Sequence, residues 1–245
     1  MKNTLSLSNL SVSTDGRTVV NDVSFAITSG EVHALLGQNG SGKSSLANAL
    51  MGHPAYEITG GNIRLDDTEL TELSPDKRAK AGLFLSMQYP PSIAGVSLSN
   101  FLRTAYNATH EEQLSPVEFH GLLKEKMALL EMDPSFAARN VNEGFSGGEK
   151  KRAEVLQLLV LEPSFAILDE TDSGLDVDAR KIVANGIRKA RERGAGILLI
   201  THHLDLLEEL GPEAVHVMKD GSIERSGRID LAREVIAEGF GTDSE

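Results

Sequence analysis

The first thirty residues alternate between apolar and polar positions, with the period of two that half-buried β-strands show. The apolar positions of this pattern are Leu5, Leu7, Val12, Val23, Phe25 and Ile27. Asp15-Gly16, a dipeptide typical of tight hairpin turns, lies between the two runs. The opening segment therefore predicts a small antiparallel sheet.

Short apolar runs and segments of helical period then follow each other along most of the chain. The pattern predicts strands over 32–36, 83–87, 165–168 and 196–201, and helices over 44–50, 149–161 and 176–193. Such alternation is typical of βαβ units on a parallel sheet. Near the end, 215–223 predicts a hairpin around Asp220-Gly221, and 231–237 predicts a last helix.

The periodicity of the middle of the chain, 97–132, is helical throughout. Ser115-Pro116-Val117-Glu118 combines an N-cap, a proline at the first helical position and a capping-box glutamate, which marks a helix start. The fold class is therefore predicted as α/β with an inserted helical subdomain. We expect a core formed by 1–88 and 163–245, which includes the antiparallel sheet, and a helical subdomain over 89–162.

Composition narrows the possible chemistry more than it narrows the fold. The 245 residues carry a formal net charge of −12, which argues against broad binding to nucleic-acid backbones. The chain has no cysteine, so disulfides, thiolate metal sites and cysteine nucleophiles are excluded within it. No apolar run approaches the ~20 residues of a membrane span, and no signal core follows Met1, so we expect a soluble cytoplasmic protein.

A glycine-rich loop lies between the predicted strand 32–36 and the helix that follows it. It reads Gly37, Gln38, Asn39, Gly40, Ser41, Gly42, Lys43 and Ser44, with Ser45 next, and matches the phosphate-binding pattern G-x-x-x-x-G-K-[ST]. Backbone N–H groups of such a loop point at phosphates, the lysine reaches the β- and γ-phosphates, and the serine hydroxyl faces Mg²⁺. A plain glycine turn with a solvated lysine is the alternative, and the strand–loop–helix context disfavours it.

Two adjacent carboxylates, Asp169 and Glu170, end the apolar run 165–168. At the carboxyl end of a strand, Asp169 can hold the Mg²⁺ shell, and Glu170 can orient or deprotonate an attacking water. Such a pair could also simply cap a helix. Together with the phosphate loop, it indicates triphosphate hydrolysis.

Ser146-Gly147-Gly148-Glu149, followed by three basic residues, directly precedes a predicted helix. Alone, this segment is equally consistent with an ordinary N-cap and a solvated basic turn.

The ordered set of these motifs resembles the ATP-binding-cassette (ABC) ATPases over nearly the whole chain. The set comprises the phosphate loop, Gln88, the Ser146 signature, Asp169-Glu170, the segment 173–176 and Thr201-His202. The resemblance implies a P-loop NTPase core that binds ATP and Mg²⁺. It also implies a nucleotide-dependent dimer of two copies that sandwiches two nucleotides.

The family resemblance also assigns roles to particular residues. It implies that Gln88 contacts Mg²⁺ and the reacting water, and that His202 grips the γ-phosphate. Ser146, Gly147 and Gly148 would bind the γ-phosphate held by the second copy, and the segment that ends at Asp176 would communicate across the interface. Lys43 and Glu170 complete the expected catalytic set.

Three features depart from the family pattern or leave a choice. The signature reads Phe-Ser-Gly-Gly-Glu rather than Leu-Ser-Gly-Gly-Gln, which leaves the phosphate donors unchanged. Val12 and Val19 stand where many members carry an adenine-stacking aromatic residue. His203 adjoins His202, and His202 is preferred because it directly follows the strand-ending Thr201.

Longer runs resemble the SufC-type ATPases of SUF iron-sulfur cluster assembly. These runs are 30–35, 56–61, 88–90, 95–97, 144–152 and 168–176. The resemblance implies SufB- and SufD-type scaffold subunits as partners, without direct membrane insertion and without nucleic acid. Two alternatives stay open: the nucleotide-binding subunit of an ABC membrane transporter, and a nucleotide-regulated binding module without turnover. The short interval from Gln88 to Ser146 leaves no room for the coiled coils of DNA-repair cassettes.

Overall fold

An antiparallel sheet forms the first layer of the computed structural model, which describes residues 3–239. Its strand order is β2-β1-β4-β5, with β1 Thr4–Thr14, β2 Arg17–Thr28, β4 Glu57–Leu65 and β5 Thr68–Glu69. Asp15 and Gly16 join β1 to β2 with φ values of 50° and 73°, the backbone that a tight hairpin turn requires. The predicted antiparallel opening is therefore confirmed, and two further strands extend it.

A second, mainly parallel sheet forms the centre of the molecule. Its order is β12-β11-β3-β10-β9-β6, formed by β3 Val32–Leu36, β6 Leu83–Ser86, β9 Phe165–Asp169, β10 Gly196–Ile200, β11 Ala214–Lys219 and β12 Ser222–Gly227. Only the last pair, β11 and β12, is antiparallel, around the turn at Asp220-Gly221. The four predicted central strands and the hairpin are confirmed, although β6 ends at Ser86, one residue earlier than predicted.

Helices connect and cover the parallel sheet. They are α1 Lys43–Met51, α2 Pro75–Lys80, α5 Gly147–Leu161, α6 Val177–Glu192, α7 Leu204–Leu210 and α8 Ile229–Glu238. Between β6 and α5 the chain forms β7 Ile93–Ser97, α3 Leu98–Thr109, α4 Pro116–Leu129, a 3-10 turn Pro134–Ala138 and β8 Asn140–Val141. The predicted capping box of α4 forms between Ser115 and Glu118. From residue 3 to residue 239, no helix is long and apolar enough to cross a bilayer.

The central sheet separates two apolar cores, as the strand period of two requires. Along β10, Ile197 and Leu199 face the core shared with α5, α6 and the helical insertion. Leu198 and Ile200 face the opposite core, shared with α1 and the antiparallel sheet. Because both faces are covered, the five residues of β10 are all buried, which explains the uninterrupted apolar run in the sequence.

Several short elements have no counterpart in the sequence prediction. They are β4, β5, α2, α7 and the ribbon that β7 and β8 form. Gly60 and Gly61 interrupt the apolar pattern of β4, and α7 has seven residues. Neither segment is long enough or regular enough to show its period in the sequence. Helix α5 begins two residues earlier than predicted, because Ser146 caps it by accepting a hydrogen bond from the Glu149 N–H.

Packing of α6 against α5 depends on the absence of a side chain at Gly186. A Cβ there would lie 2.4 Å from Cγ1 of Val155 and 2.9 Å from Cδ2 of Leu130. We expect Gly186→Ala to lower the free energy of unfolding by about 1–2 kcal/mol, because overpacking exceeds the helix-propensity gain of about 1 kcal/mol. Gly121→Ala is the matched control in α4. A Cβ at Gly121 meets nothing within 4 Å, so this variant should be about 0.5–1 kcal/mol more stable. Urea unfolding of both variants measures the change in the free energy of unfolding. If both substitutions changed it in the same direction, the packing argument would be contradicted.

Candidate active site

A cavity of about 510 Å³ opens at the carboxyl ends of the parallel strands, the edge where open α/β sheets bind ligands. It is lined by Thr18, Val19, Asn39, Gly40, Gly42, Lys43, Ser44, Ser45, Gln88, Glu170, Asp220 and Gly221. The structure thus brings the phosphate loop, Gln88 and Glu170 together. Gly37, Gln38 and Ser41 belong to the same loop but do not line the cavity.

Glycines fix the path of the phosphate loop. Gly37 has φ +153°, and a Cβ on it would lie 2.3 Å from the carbonyl oxygen of Met218. Gly42 has φ +106°, and its Cβ would lie 2.5 Å from the carbonyl oxygen of Val19. Both the backbone angles and the close neighbours therefore require glycine at these two positions.

Helix α1 presents an N-terminus that no side chain caps. Gly42 is its N-cap residue, and the first turn contains no acidic residue. By contrast, at the N-termini of α3, α4, α5 and α6 a backbone N–H donates a hydrogen bond to a serine or aspartate side chain. The first N–H groups of α1, together with the helix dipole, suit an anion such as a phosphate.

Lys43 is buried in the loop that precedes its own helix, with 5% of its surface exposed. Its ammonium donates hydrogen bonds to the carbonyl oxygens of Gly37 at 2.7 Å and Gln38 at 2.8 Å. Burial lowers the pKa of Lys43, and the nearby charges of Glu170 and Asp169 oppose this shift. The cavity therefore places a cation between the phosphate loop and two carboxylates.

Asp169 and Ser44 supply the oxygen atoms that suit Mg²⁺. Asp169 is 3% exposed, and its Oδ1 has no hydrogen-bond partner. Burial raises the pKa of this carboxyl, and a hydrogen bond from the Ser44 hydroxyl opposes the rise. Within residues 3–239 no three acidic, histidine or cysteine side chains cluster to hold a metal. This sparse oxygen set fits Mg²⁺, which keeps several waters and shares substrate phosphates.

Glu170 lies between Gln88 and His202 at the edge of the cavity. Its Oε2 accepts a hydrogen bond from Nε2 of Gln88 at 2.7 Å, and its Oε1 lies 3.4 Å from Nε2 of His202. The three residues follow β6, β9 and β10, which are neighbours in the parallel sheet. A carboxylate held from two sides in this way can orient a water molecule and accept its proton.

The two adjacent histidines have different surroundings. His202 faces Glu170, whereas Nδ1 of His203 lies 3.2 Å from Nη1 of Arg180, and His203 begins α7 as its N-cap residue. The geometry therefore brings His202, the position preferred from the sequence, to the cavity edge.

The predicted signature residues lie outside this cavity. Ser146 and Gly147 are exposed and Gly148 is half-buried, at the N-terminus of α5. Ser146 and Glu149 form a complete capping box, in which the Ser146 N–H donates to Glu149 at 2.7 Å. Asp176 does not line the cavity either, and it caps α6 by accepting a hydrogen bond from the Ala179 N–H at 2.8 Å.

Some residues near the site were missed or misplaced in the sequence analysis. Thr18, Asp220 and Gly221 line the cavity, whereas Val12 is completely buried in the antiparallel sheet. Of the two valines considered for the adenine, only Val19 lines the cavity.

Lys151 is buried, which corrects the alternative of a solvated basic turn after the signature. It is 8% exposed and donates a hydrogen bond to the Gln88 carbonyl oxygen at 3.2 Å. Burial lowers its pKa, and neighbouring carboxylates, Glu154 first, oppose the shift. Lys151 lies four residues before Val155, so the helical period places both on the buried face of α5. This spacing could have predicted the burial of Lys151, but its charge favoured a solvated position.

A family model described as "ABC transporter" matches residues 20–173 of this chain. "Probable ATP-dependent transporter ycf16" of Cyanophora paradoxa is 50% identical over 240 residues, covering 96% of this chain and 93% of that protein. "Vegetative protein 296" of Bacillus subtilis is 50% identical over 239 residues, covering 97% of this chain and 92% of that protein.

Solved structures agree with the fold. The "ATP binding subunit of ABC transporter" is 26% identical, with a TM-score of 0.80 over 96% of this chain and 94% of that one. The dimeric bacterial ABC transporter cassette MJ0796 is 21% identical, with a TM-score of 0.80 over 92% of this chain and 98% of that one. The second likeness concerns the fold alone.

Proposed function

Because the chain belongs to the ABC transporter family of ATP-binding proteins, we propose that it is the ATPase subunit of a SUF iron-sulfur cluster assembly complex. In this proposal, ATP binding drives dimerisation and a conformational change in a SufB–SufD-type scaffold, and hydrolysis resets it. The chain is an ATPase of the ABC type with a P-loop NTPase fold. The SUF assignment rests on the resemblance to SufC-type ATPases of the runs 30–35, 56–61, 88–90, 95–97, 144–152 and 168–176. It includes a cytoplasmic location.

The contact of Glu170 with Gln88 and His202 is the observation that carries the hydrolytic mechanism. The phosphate loop and the α1 N-terminus bind the triphosphate, and Lys43 exchanges its two loop carbonyls for phosphate oxygens. Ser44 and Asp169 would hold Mg²⁺, which neutralises charge on the phosphates. Glu170 accepts a proton from the attacking water, Gln88 helps to orient that water, and His202 binds the γ-phosphate.

The exposed signature supports a site shared between two copies. Ser146, Gly147 and Gly148 form a helix N-terminus that is largely exposed and does not line the cavity of its own chain. A helix N-terminus stabilises an anion within about one turn. We propose that these groups bind the γ-phosphate of a second copy, so that each dimer encloses two nucleotides, and that Asp176 lies near the same interface.

A transporter subunit is the second candidate, because ABC cassettes share the hydrolytic chemistry and differ in their partner. The segment after β6 offers a surface for either partner, since Tyr89 is 84% exposed and Met87 is 43% exposed beside Pro90 and Pro91. Large exposed apolar side chains in one patch are typical of an interaction site. We propose that the scaffold subunits contact this surface.

Purification of the tagged chain from its own cells tests the partner. We expect SufB- and SufD-type subunits to co-purify in amounts comparable to the chain, and Tyr89→Ala to reduce their recovery at least about fivefold, because an aromatic anchor at an interface contributes about 2 kcal/mol or more. Glu57→Ala, an exposed substitution on β4, should leave recovery unchanged. Recovery of a multi-span membrane protein in place of the scaffold subunits would reject the SUF assignment in favour of the transporter.

A further inference from the structure

Glu154 is a carboxylate buried within α5, outside the nucleotide cavity. Only 5% of its surface is exposed. Its Oε2 accepts a hydrogen bond from the backbone N–H of Met87 at 3.3 Å, and its Oε1 accepts one from Nε2 of Gln157 at 2.7 Å. Burial raises the pKa of Glu154, and hydrogen bonding to Ser86 first, then to Gln157 and Met87, opposes the rise. Burying a carboxylate costs free energy that only hydrogen bonds or charged partners offset.

The partner of Glu154 is the segment that leads to Gln88. Lys151 lies three residues earlier on the same face of α5 and donates to the carbonyl oxygen of Gln88. Glu154 therefore holds the N–H of Met87 while Lys151 holds the carbonyl of Gln88. Two successive turns of one helix thus fix both ends of the same dipeptide.

The other end of this contact chain is the hydrolysis site. The side chain of Gln88 donates to Oε2 of Glu170 at 2.7 Å. A shift of the backbone at Met87 and Gln88 would move that amide away from the carboxylate, and displacements of about 1 Å can cost about 100-fold in rate. Met87 and Glu154 also line a groove of about 130 Å³ beside Pro90 and Pro91.

We propose that Glu154 is a positioning residue for ATP hydrolysis, whose buried carboxylate anchors the Met87–Gln88 segment to α5 and so holds the Gln88 amide on Glu170. This inference rests on the roles proposed for Gln88 and Glu170. Glu154 acts through the backbone and does not line the nucleotide cavity.

Variants at Glu154 separate positioning from simple support of the fold. Glu154→Leu keeps the volume but removes both acceptor oxygens, so we expect kcat to fall at least about 10-fold. The KM for ATP and the affinity for a fluorescent ATP analogue should stay within about twofold. Glu154→Gln keeps one acceptor oxygen for Met87 and should retain at least a third of kcat. If the leucine variant does not fold, Glu154→Met, of similar length, replaces it.

Two further measurements decide the outcome. Val155→Ala, a truncation in the buried core next to Glu154, should lower thermal stability but leave kcat within about twofold. In a Gln88→Ala background, Glu154→Leu should lower kcat by less than about twofold further, because the amide that it positions is absent. A folded leucine variant with unchanged kcat, or losses that multiply in the double variant, would overturn the proposal.

Glu170→Gln, measured in parallel, separates this inference from the site assignment on which it rests. Loss of hydrolysis in Glu170→Gln with no effect of Glu154→Leu rejects the positioning role alone. Unchanged hydrolysis in Glu170→Gln rejects the proposed site itself.

Discussion

Glu170→Gln is expected to lower the rate of ATP hydrolysis by about 1,000-fold while ATP still binds. An amide cannot accept the proton of the attacking water at neutral pH, and general-base catalysis contributes about 10²–10⁴-fold in rate. The oxygen that the glutamine side chain retains can still accept the hydrogen bond that Gln88 donates to Oε2 of Glu170, so the geometry of the site should be kept. Phosphate release under saturating ATP measures the effect.

The same variant should also accumulate the nucleotide-bound dimer. If hydrolysis resets the dimer, a variant that binds ATP without cleaving it remains in the paired state. We expect size-exclusion chromatography with ATP and Mg²⁺ to show a dimer for Glu170→Gln and mainly monomer for the unsubstituted chain. Glu111→Gln, on an exposed residue of the helical insertion, is the control and should behave like the unsubstituted chain. Hydrolysis at the normal rate in Glu170→Gln would remove Glu170 from the proposed mechanism.

Local patterns were sufficient to predict the central strands and the phosphate loop. The strand β10 is apolar at every position because both faces of the sheet are covered, and the loop is a continuous motif whose glycines meet local steric needs at Gly37 and Gly42. Short elements such as α2 and α7 escaped detection, because six or seven residues contain too few turns to establish a helical period.

The assembly of the hydrolysis site depends on long-range topology. Gln88 and Glu170 are 82 residues apart in sequence, and they meet because β6 and β9 pair in parallel register. No local pattern encodes that pairing, so their proximity came from family resemblance alone. The burial of Lys151 and Glu154 was missed for a related reason. Their polar partners lie 63 and 67 residues away, in the segment around Met87 and Gln88.

Lys43→Ala is expected to weaken ATP binding by about 100- to 1,000-fold. Two unit charges about 4 Å apart interact by about 4 kcal/mol at an effective dielectric constant of about 20, and the phosphates lose this partner. The loss is enhanced because Asp169 and Glu170, both close enough to act on the charge of Lys43, would face the triphosphate without the positive charge of the lysine. Isothermal titration calorimetry with ATP and Mg²⁺ measures the dissociation constant.

The unliganded Lys43→Ala chain should be at least as stable as the unsubstituted one, which distinguishes lost binding from lost folding. Burial lowers the pKa of Lys43, so the folded chain bears a cost for keeping this ammonium charged. Its two hydrogen bonds, to the carbonyl oxygens of Gly37 and Gln38, offset that cost only in part, because the pKa is lowered despite them. Lys150→Ala, on a half-buried residue outside the cavity lining, should bind ATP normally. Equal ATP affinity in Lys43→Ala and Lys150→Ala would show that the phosphate loop binds the nucleotide without its lysine.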